Sequence, residues 1–195
     1  MFHKNSFGIV IAGLAIAAVF AATAALGQVK QSAEGAGQSF RVGAELSNLQ
    51  AGFPIDSNVR LSGVGVFGNF NWNQRYGVEA HGRFLNLNSW YGETEQDYLA
   101  GPRYTFLHSL KWHPFASFQV GLVRVQYPFS IGTGTSFAMV PGGGLDYRIN
   151  QKWSLRGSYE YQFLPNSPNF TDEPKFGIKP NGVSVGVSYR LWKGK

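Results

Sequence analysis

The stretch Phe40-Arg-Val-Gly-Ala-Glu-Leu46 decides the fold of this 195-residue chain. Apolar residues stand at its even positions, and charged residues or glycine stand at its odd positions. Successive side chains of a β-strand point to opposite faces of a sheet, so this period of two predicts a strand with one apolar and one polar face. The same alternation recurs outward from this stretch, almost to the end of the chain.

Eight such segments follow one another, separated by residues typical of turns and loops. Most are close to the length of about 9–11 residues that a tilted strand needs to cross a bilayer. We therefore predict an all-β fold, an eight-stranded antiparallel up-and-down barrel. The predicted strands cover residues 39–47, 60–72, 76–86, 97–106, 114–125, 137–149, 153–163 and 182–192.

The two faces of the predicted strands differ in charge. One face runs from Phe40 to Leu191 through aliphatic and aromatic side chains. The other face holds nearly all of the strand charges, with glycine, serine, threonine and glutamine between them. These charged residues are Arg41, Glu45, Glu79, Arg83, Arg103, Asp146, Arg148, Arg156, Glu160 and Arg190.

A soluble barrel would carry its charges outside and its apolar residues inside. A lipid bilayer demands the reverse, because a charge on the lipid face costs about 2–4 kcal/mol near the midplane. The pattern therefore predicts a transmembrane barrel whose interior, the lumen, holds the charges. Since an unpaired buried charge is costly, we expect them to form a network. The pairs expected on single strands are Glu79 with Arg83, Asp146 with Arg148, and Arg156 with Glu160.

The predicted connections alternate in length. The shorter ones are residues 73–75, 107–113 and 150–152, and the longer ones are residues 47–59, 87–96, 126–136 and 164–181. Outer-membrane barrels have short periplasmic turns and longer outer loops. We therefore expect the longer connections outside the cell and both ends of the barrel in the periplasm. The glycines at 142–144 are expected to bend the sixth strand.

Aromatic residues cluster at the predicted strand ends, and indole and phenol rings favour the headgroup level of a membrane. The expected periplasmic girdle consists of Trp72, Tyr76, Trp112, Tyr147, Trp153, Tyr189 and Trp192, with Phe106 and Phe115 beside them. The expected outer girdle consists of Tyr98, Phe129, Phe137, Tyr161 and Phe163.

The first 27 residues have the pattern of an export signal. Lys4 precedes an apolar run that begins at Phe7, and Ala25-Leu-Gly27 fits the small-x-small cleavage rule. A retained transmembrane helix, the alternative, is disfavoured by the many alanines and by this cleavage site. We expect a cleavable signal peptide at residues 1–27, a flexible lead-in at residues 28–38 and the barrel at residues 39–195. The chain has no cysteine, so it has no disulfide.

Three segments carry a resemblance to a known family. Val183-Ser-Val-Gly-Val-Ser-Tyr-Arg-Leu-Trp192 resembles the C-terminal β-signal that the barrel-assembly machinery recognises. The segments Tyr98-Leu-Ala-Gly-Pro-Arg-Tyr104 and Gly142-Gly-Gly-Leu-Asp-Tyr-Arg148 resemble strands of the outer-membrane protein β-barrel family. That family includes OmpA-type transmembrane domains and OmpX-like small barrels. Its β-signal usually ends on an aromatic residue, whereas here Leu191 holds that register.

Chemistry-bearing residues are sparse. Of the four histidines, His3 lies in the signal, His108 and His113 lie in a predicted periplasmic turn, and His81 points into the lumen. No serine–histidine arrangement is recognisable, so we predict no catalytic residue and no enzyme. The run Glu93-x-Glu95-x-Asp97 could attract a divalent cation, but a solvated acidic loop tip is the more common arrangement. We predict no metal ligand and no cofactor.

These expectations together predict a small non-enzymatic barrel of the bacterial outer membrane, exported through the Sec signal peptide. It would work as a monomer, with an envelope-structural or surface-interaction role through its outer loops. The alternatives are a narrow pore for ions or small solutes and a lipid A-modifying barrel enzyme. The expected partners are lipopolysaccharide, phospholipid and the barrel-assembly machinery.

The distribution of the exposed charges adds to this interpretation. The formal net charge is +6, but the lysines and arginines are scattered, which excludes a nucleic-acid patch. The expected periplasmic turns and tail are basic, and their cations are Arg75, Lys111, Lys152, Lys193 and Lys195. The expected outer loops are mainly acidic, and their acids are Asp56, Glu93, Glu95, Asp97, Asp172 and Glu173.

Overall fold

A computed structural model describes residues 38–50, 60–87, 93–106, 111–126, 133–165 and 177–194. The expected signal peptide and nearly all of the lead-in lie outside the described residues, as do His108, Phe129, Asp56, Asp172 and Glu173. None of the described residues belongs to a helix long and apolar enough to cross a membrane.

The described residues form eight antiparallel strands. These are β1 (Ser39–Gln50), β2 (Arg60–Asn71), β3 (Tyr76–Leu85), β4 (Thr94–Thr105), β5 (Trp112–Gln126), β6 (Thr133–Arg148), β7 (Trp153–Tyr161) and β8 (Asn181–Lys193). Each strand pairs with the next one along the chain, and β8 pairs with β1 to close the barrel. The predicted fold is therefore confirmed.

Three of the predicted loops are shorter than expected because their strands are longer, and the first of them is shortened because β1 continues to Gln50. β4 begins at Thr94, so Glu95 and Asp97 lie on a strand and not in a loop. β6 begins at Thr133, which leaves only residues 127–132 between β5 and β6. Both strands extend the alternation of buried and exposed side chains past the predicted starts, because the chain continues to pair with its neighbour there.

The two ends of the barrel differ in their connections. The end where residues 72–75 and 149–152 connect strands, and where β1 begins and β8 ends, is called the turn end. The opposite end is called the loop end. Two of the turns depend on asparagine, whose side chain readily accepts hydrogen bonds from the backbone that follows it. Asn73 Oδ1 accepts from the backbone N–H of Tyr76 at 2.6 Å, and Asn150 Oδ1 accepts from that of Trp153 at 2.8 Å.

Burial follows the alternation that the sequence predicts. The apolar face points outward, and residues such as Leu46 and Val185 are 58% and 59% exposed. Two charged side chains of the described strands also face outward, and both lie at the loop end: Arg60 and Arg124. Every other charged residue of these strands faces the lumen.

Glycines inside the lumen provide room for large side chains on neighbouring strands. A Cβ atom on Gly43 would lie 2.3 Å from the ring of Phe67. A Cβ atom on Gly65 would lie 2.4 Å from Cγ of Arg83. These positions take glycine because the adjacent strand fills the space that a side chain would need.

A bulge interrupts the seam where the barrel closes. Phe40 pairs with Trp192, but the next residue, Arg41, pairs with Arg190, so Leu191 is the extra residue. A bulge shifts the alternation by one residue and thereby changes which side chains face inward. Trp192 consequently joins the outward face, and Lys193, opposite Ser39, joins the lumen face.

The apolar core lies inside the barrel toward the loop end. Sequence analysis assigns small and polar residues to most of the lumen, so this cluster is a correction. Its members are at most 2% exposed: Leu49, Leu61, Leu85, Leu99, Val123, Val125, Ala138, Val140, Leu164 and Ile178. Leu164 and Ile178, predicted as loop residues, pair with each other and pack into this core.

Candidate functional site

The middle of the lumen holds a charged cluster centred on Glu79 of β3. The Glu79 carboxylate is 2% exposed and accepts hydrogen bonds from Arg103 of β4 and Arg156 of β7, the latter at 2.8 Å. Gln119 Nε2 donates to it at 2.9 Å, and the His81 ring lies at 2.8 Å. One carboxylate therefore joins strands from both sides of the barrel.

Asp146 of β6 completes this cluster from the side of the turn end. Its carboxylate accepts from Arg103 at 2.6 Å and from Arg156 Nε at 2.9 Å. Arg41 approaches the same carboxylate at 4.0 Å. Arg103 and Arg156 each bridge Asp146 and Glu79, so two acids and two guanidinium groups alternate in a closed arrangement.

Two aromatic rings lie against these guanidinium groups inside the lumen. The Arg103 guanidinium carbon lies 3.7 Å from the ring centre of Phe115, and that of Arg156 lies 4.0 Å from the ring centre of Phe67. The placement of Phe115 in the periplasmic girdle is wrong, since it is only 4% exposed. Cations over aromatic faces are stabilised most where water is excluded.

A second cluster lies around Arg83, which is fully buried. Its guanidinium donates to Asp97 at 2.7 Å and to Glu160, while Gln162 Nε2 lies 3.1 Å from Asp97 and 3.2 Å from Glu160. Glu95 is 1% exposed beside them. The expectation that Glu95 and Asp97 form a solvated loop tip is therefore wrong, and both belong to the lumen.

Of the pairs expected along single strands, none is among the ion pairs of the described residues. Residues four apart on a strand, such as Glu79 and Arg83, are separated by about 13 Å along it. Neighbours across strands are closer, and Asp146 stands directly opposite Arg156. The charges are therefore paired across strands, as a network around the barrel.

The geometry around His81 bears on catalysis. Its Nδ1 lies 3.2 Å from Glu45 and its Nε2 lies 2.8 Å from Glu79. Both ring nitrogens therefore face carboxylates, which leaves neither in contact with a hydroxyl group.

His113 is a residue of β5 and is 5% exposed, so its placement in a turn is corrected. Within the described ranges, no group of three or more acidic or histidine side chains could hold a metal ion.

The turn end of the lumen opens into a basic cavity of about 200 Å³. We call it the vestibule, and the cations that line it are Arg41, Arg103, Arg148, Arg190 and Lys193. Asp146 is the acid that lines it, on the side toward the Glu79 cluster. By contrast, the cavity beside Glu79 and His81 measures about 10 Å³, which is room for about one water molecule.

The predicted girdle residues lie at the turn end and pack in pairs. Trp112 and Tyr147 have ring centres 4.5 Å apart, and Trp153 and Tyr189 have ring centres 5.0 Å apart. Trp72, Tyr76 and Trp192 are 44%, 52% and 38% exposed on the outward face. An outward belt of aromatic rings therefore surrounds this end of the barrel.

The site contains residues that sequence analysis assigned elsewhere or passed over. Asp97, Glu95 and Phe115 share the odd-numbered, inward register of Arg103, and that register was the available signal. Gln162 lies just beyond β7 but within the predicted strand 153–163, and it shares the even-numbered, inward register of Glu160, so the same signal applied to it. Lys193 faces inward only because of the bulge.

Comparisons with known proteins support the architecture. The profile of the family described as "Outer membrane protein beta-barrel domain" matches residues 12–190. Neisserial surface protein A is similar in structure, with 17% identity, coverage of 78% of this chain and 98% of that one, and a TM-score of 0.61. The N-terminal barrel of Pseudomonas aeruginosa OprF is similar at 13% identity, with 78% and 98% coverage and a TM-score of 0.52.

OprG of the same bacterium is also similar, at 11% identity, with 82% and 99% coverage and a TM-score of 0.51. At these identities the likeness concerns the fold alone. No curated protein sequence matches the chain.

Proposed function

The chain belongs to the outer-membrane protein β-barrel family, and on that premise we propose that it is a non-conducting, non-enzymatic barrel. Its role is to stabilise the bacterial outer membrane and to present its outer loops for surface interaction. The observation that carries this proposal is the apolar core at the loop end. Its side chains are at most 2% exposed, whereas an aqueous channel through this end would expose them.

The rest of the lumen supports the same reading. An eight-stranded barrel is about wide enough for its own side chains to fill. Here the Glu79 and Arg83 clusters occupy the space below the apolar core with paired charges. A narrow pore, the alternative, would need a continuous water-filled path through the apolar core and through the charged clusters.

Bilayer conductance tests this proposal directly. The refolded parent is expected to give no stepwise current in a planar membrane. A variant with Leu61→Ala and Leu85→Ala removes part of the apolar core and serves as the comparison. Current in this variant alone would show that the apolar core is what blocks conduction. Stable, equal current steps in the parent and the variant would favour the pore.

The orientation in the membrane follows from the connections. We propose that the turn end faces the periplasm, since short turns do so in this class of barrel. Protease sites inserted near Gly92 and near Gln151 test this on intact cells. Cleavage is expected at the first site, and cleavage at the second alone would reverse the orientation.

Lipid contacts complete the proposal. The aromatic belt at the turn end suits the headgroups of the inner leaflet, because amphipathic rings favour that level. At the loop end, Arg124 faces outward near Tyr98 and Phe137, and Arg60 faces outward on β2. Both can meet the phosphates of lipopolysaccharide. A cation near an anionic membrane surface gains roughly 1 kcal/mol.

Export and assembly are proposed from the two ends of the chain. The first 27 residues would direct Sec export and be removed. The last strand would engage the barrel-assembly machinery, since the bulge places Trp192 on the outward face at the end of β8.

Catalysis on lipid A is the remaining alternative. Mass analysis of lipid A from cells with and without the protein is expected to show identical species. A removed or added acyl chain that depends on the protein would contradict the non-enzymatic role. Replacing His81 with glutamine would then show whether that side chain takes part.

A further inference from the structure

The vestibule at the turn end holds more positive charge than the acids around it can balance. Within the described residues, Arg148, Arg190 and Lys193 form no ion pair with any carboxylate. Arg41 reaches only the edge of Asp146, at 4.0 Å. That acid is already bound by Arg103 at 2.6 Å and by a second guanidinium at 2.9 Å. Among the described residues, five cations therefore line the cavity, and its acid, Asp146, is already bound by Arg103 and Arg156.

The register makes this arrangement more costly than a scattered set of charges. Arg41 and Arg190 stand directly opposite each other on β1 and β8. Like charges in that position destabilise a sheet. The bulge at Leu191 turns Lys193 toward the same cavity, so the seam adds a further cation.

The donors of these side chains are also incompletely used. The Nε atoms of Arg41, Arg148 and Arg190 are buried and have no hydrogen-bond acceptor. A buried donor without an acceptor costs free energy, so a native structure that retains several calls for an explanation. An anion in the cavity would accept hydrogen bonds from the guanidinium groups that line it and offset the repulsion between them.

We propose that the vestibule binds a phosphate group. Guanidinium groups are planar forks that match the oxygens of phosphate. Four of them line this cavity, and only Arg103 is closely paired with carboxylates. The cavity of about 200 Å³ has room for the phosphate and for part of the molecule that carries it. It opens toward the turn end and is closed at the other side by the Glu79 cluster. The source is a soluble phosphate compound or a phospholipid headgroup, which share this chemistry.

The test compares the parent with Arg148→Gln/Arg190→Gln, refolded in a non-ionic detergent without lipid. Thermal unfolding is followed in chloride and in inorganic phosphate at equal ionic strength, because ligand binding to the folded state raises the unfolding midpoint. Phosphate is expected to raise the parent's midpoint by about 5 °C relative to chloride. The variant is expected to be at least as stable as the parent in chloride, since repulsion is relieved, and to lose the response to phosphate.

The matched control is Arg75→Gln/Lys152→Gln, which removes the same charge from exposed turns. It should respond to phosphate as the parent does. An equal response in all three proteins, or none in the parent, overturns the proposal. Calorimetric titration of the parent with phosphate gives a second measurement if the vestibule variant fails to fold, and absence of saturable heat overturns it as well.

A last arm identifies the source. The parent is placed in a phospholipid nanodisc and titrated with inorganic phosphate. A retained response supports a soluble phosphate compound. A response that disappears in the nanodisc but is present in detergent supports a headgroup, and both results uphold the site itself.

Discussion

Replacing Glu79 with glutamine should destabilise the barrel more than any other single acid-to-amide change in the lumen. The Glu79 carboxylate binds Arg103 and Arg156 and also contacts His81 and Gln119. The substitution keeps the size of the side chain but removes its charge. It also turns an amide N–H₂ group toward guanidinium groups that are themselves donors.

The magnitude follows from the partners that remain. Removing one member of a buried ion pair costs about 3–5 kcal/mol, because the other charge stays buried. Arg103 and Arg156 would both remain bound to Asp146 in the variant, so we expect a loss of stability below the upper end of that range. We expect the free energy of unfolding to fall by about 4 kcal/mol.

Glu45→Gln is the matched comparison. Glu45 is about as buried, but it contacts one member of this network, His81, at 3.2 Å. Loss of one charge-assisted hydrogen bond should cost about 2 kcal/mol. Both proteins and the parent are unfolded in urea, and tryptophan fluorescence reports the transition. A Glu79→Gln protein as stable as the parent, or no worse than Glu45→Gln, would refute the central role of this carboxylate.

Three further predictions concern other parts of the barrel. Glu160→Ala should lower the free energy of unfolding by about 3 kcal/mol, because it takes an acceptor from the fully buried Arg83; a urea midpoint equal to the parent's would contradict this. Gly121→Ala should destabilise by about 1–3 kcal/mol because its Cβ would lie 1.9 Å from the Tyr98 carbonyl oxygen. The Cβ of Gly157→Ala would meet nothing within 4 Å, so this substitution should raise the free energy of unfolding by about 0.4–1 kcal/mol. If urea unfolding shows changes of the same sign for the two glycine variants, the packing described here is wrong. A variant in which Arg75, Lys111 and Lys152 are all replaced with glutamine should fold with less acceleration by anionic vesicles. Folding rates with and without anionic lipid measure this effect, and a response equal to the parent's would show that these charges are incidental.

The faces of the strands could be predicted because side-chain direction depends only on the parity of a position. Parity alone placed Arg83, Arg103 and Arg156 inside the barrel. It also applied to Phe115 and Asp97, which were misplaced because an aromatic ring near a strand end suggests a girdle and a run of acids suggests a loop. In both cases the register was the better guide than the residue type.

Partners across strands could not be predicted from parity. They depend on how far each strand is staggered against the next, and that stagger is set by the closure of the whole ring. The pairing of Arg83 with Asp97 and the approach of Arg103 to Asp146 are therefore properties of the closed barrel. The bulge at Leu191 has no local sequence signal either, so the inward direction of Lys193 could not be predicted from the sequence.

The closure of β1 on β8 has a consequence for how the protein reaches its native state. Ser47 and Ser184 share a hydrogen bond at 2.8 Å although 137 positions separate them along the chain. Contacts of such high sequence separation form slowly, because the entropy of closing a long loop opposes them before any contact stabilises the ends. Seven of the eight strand pairings join strands that are neighbours in sequence and can form one after another along the chain. The eighth, between β1 and β8, can form only after the last strand is in place. The ring is therefore completed by the segment that is synthesised last, and until then β1 keeps an open edge.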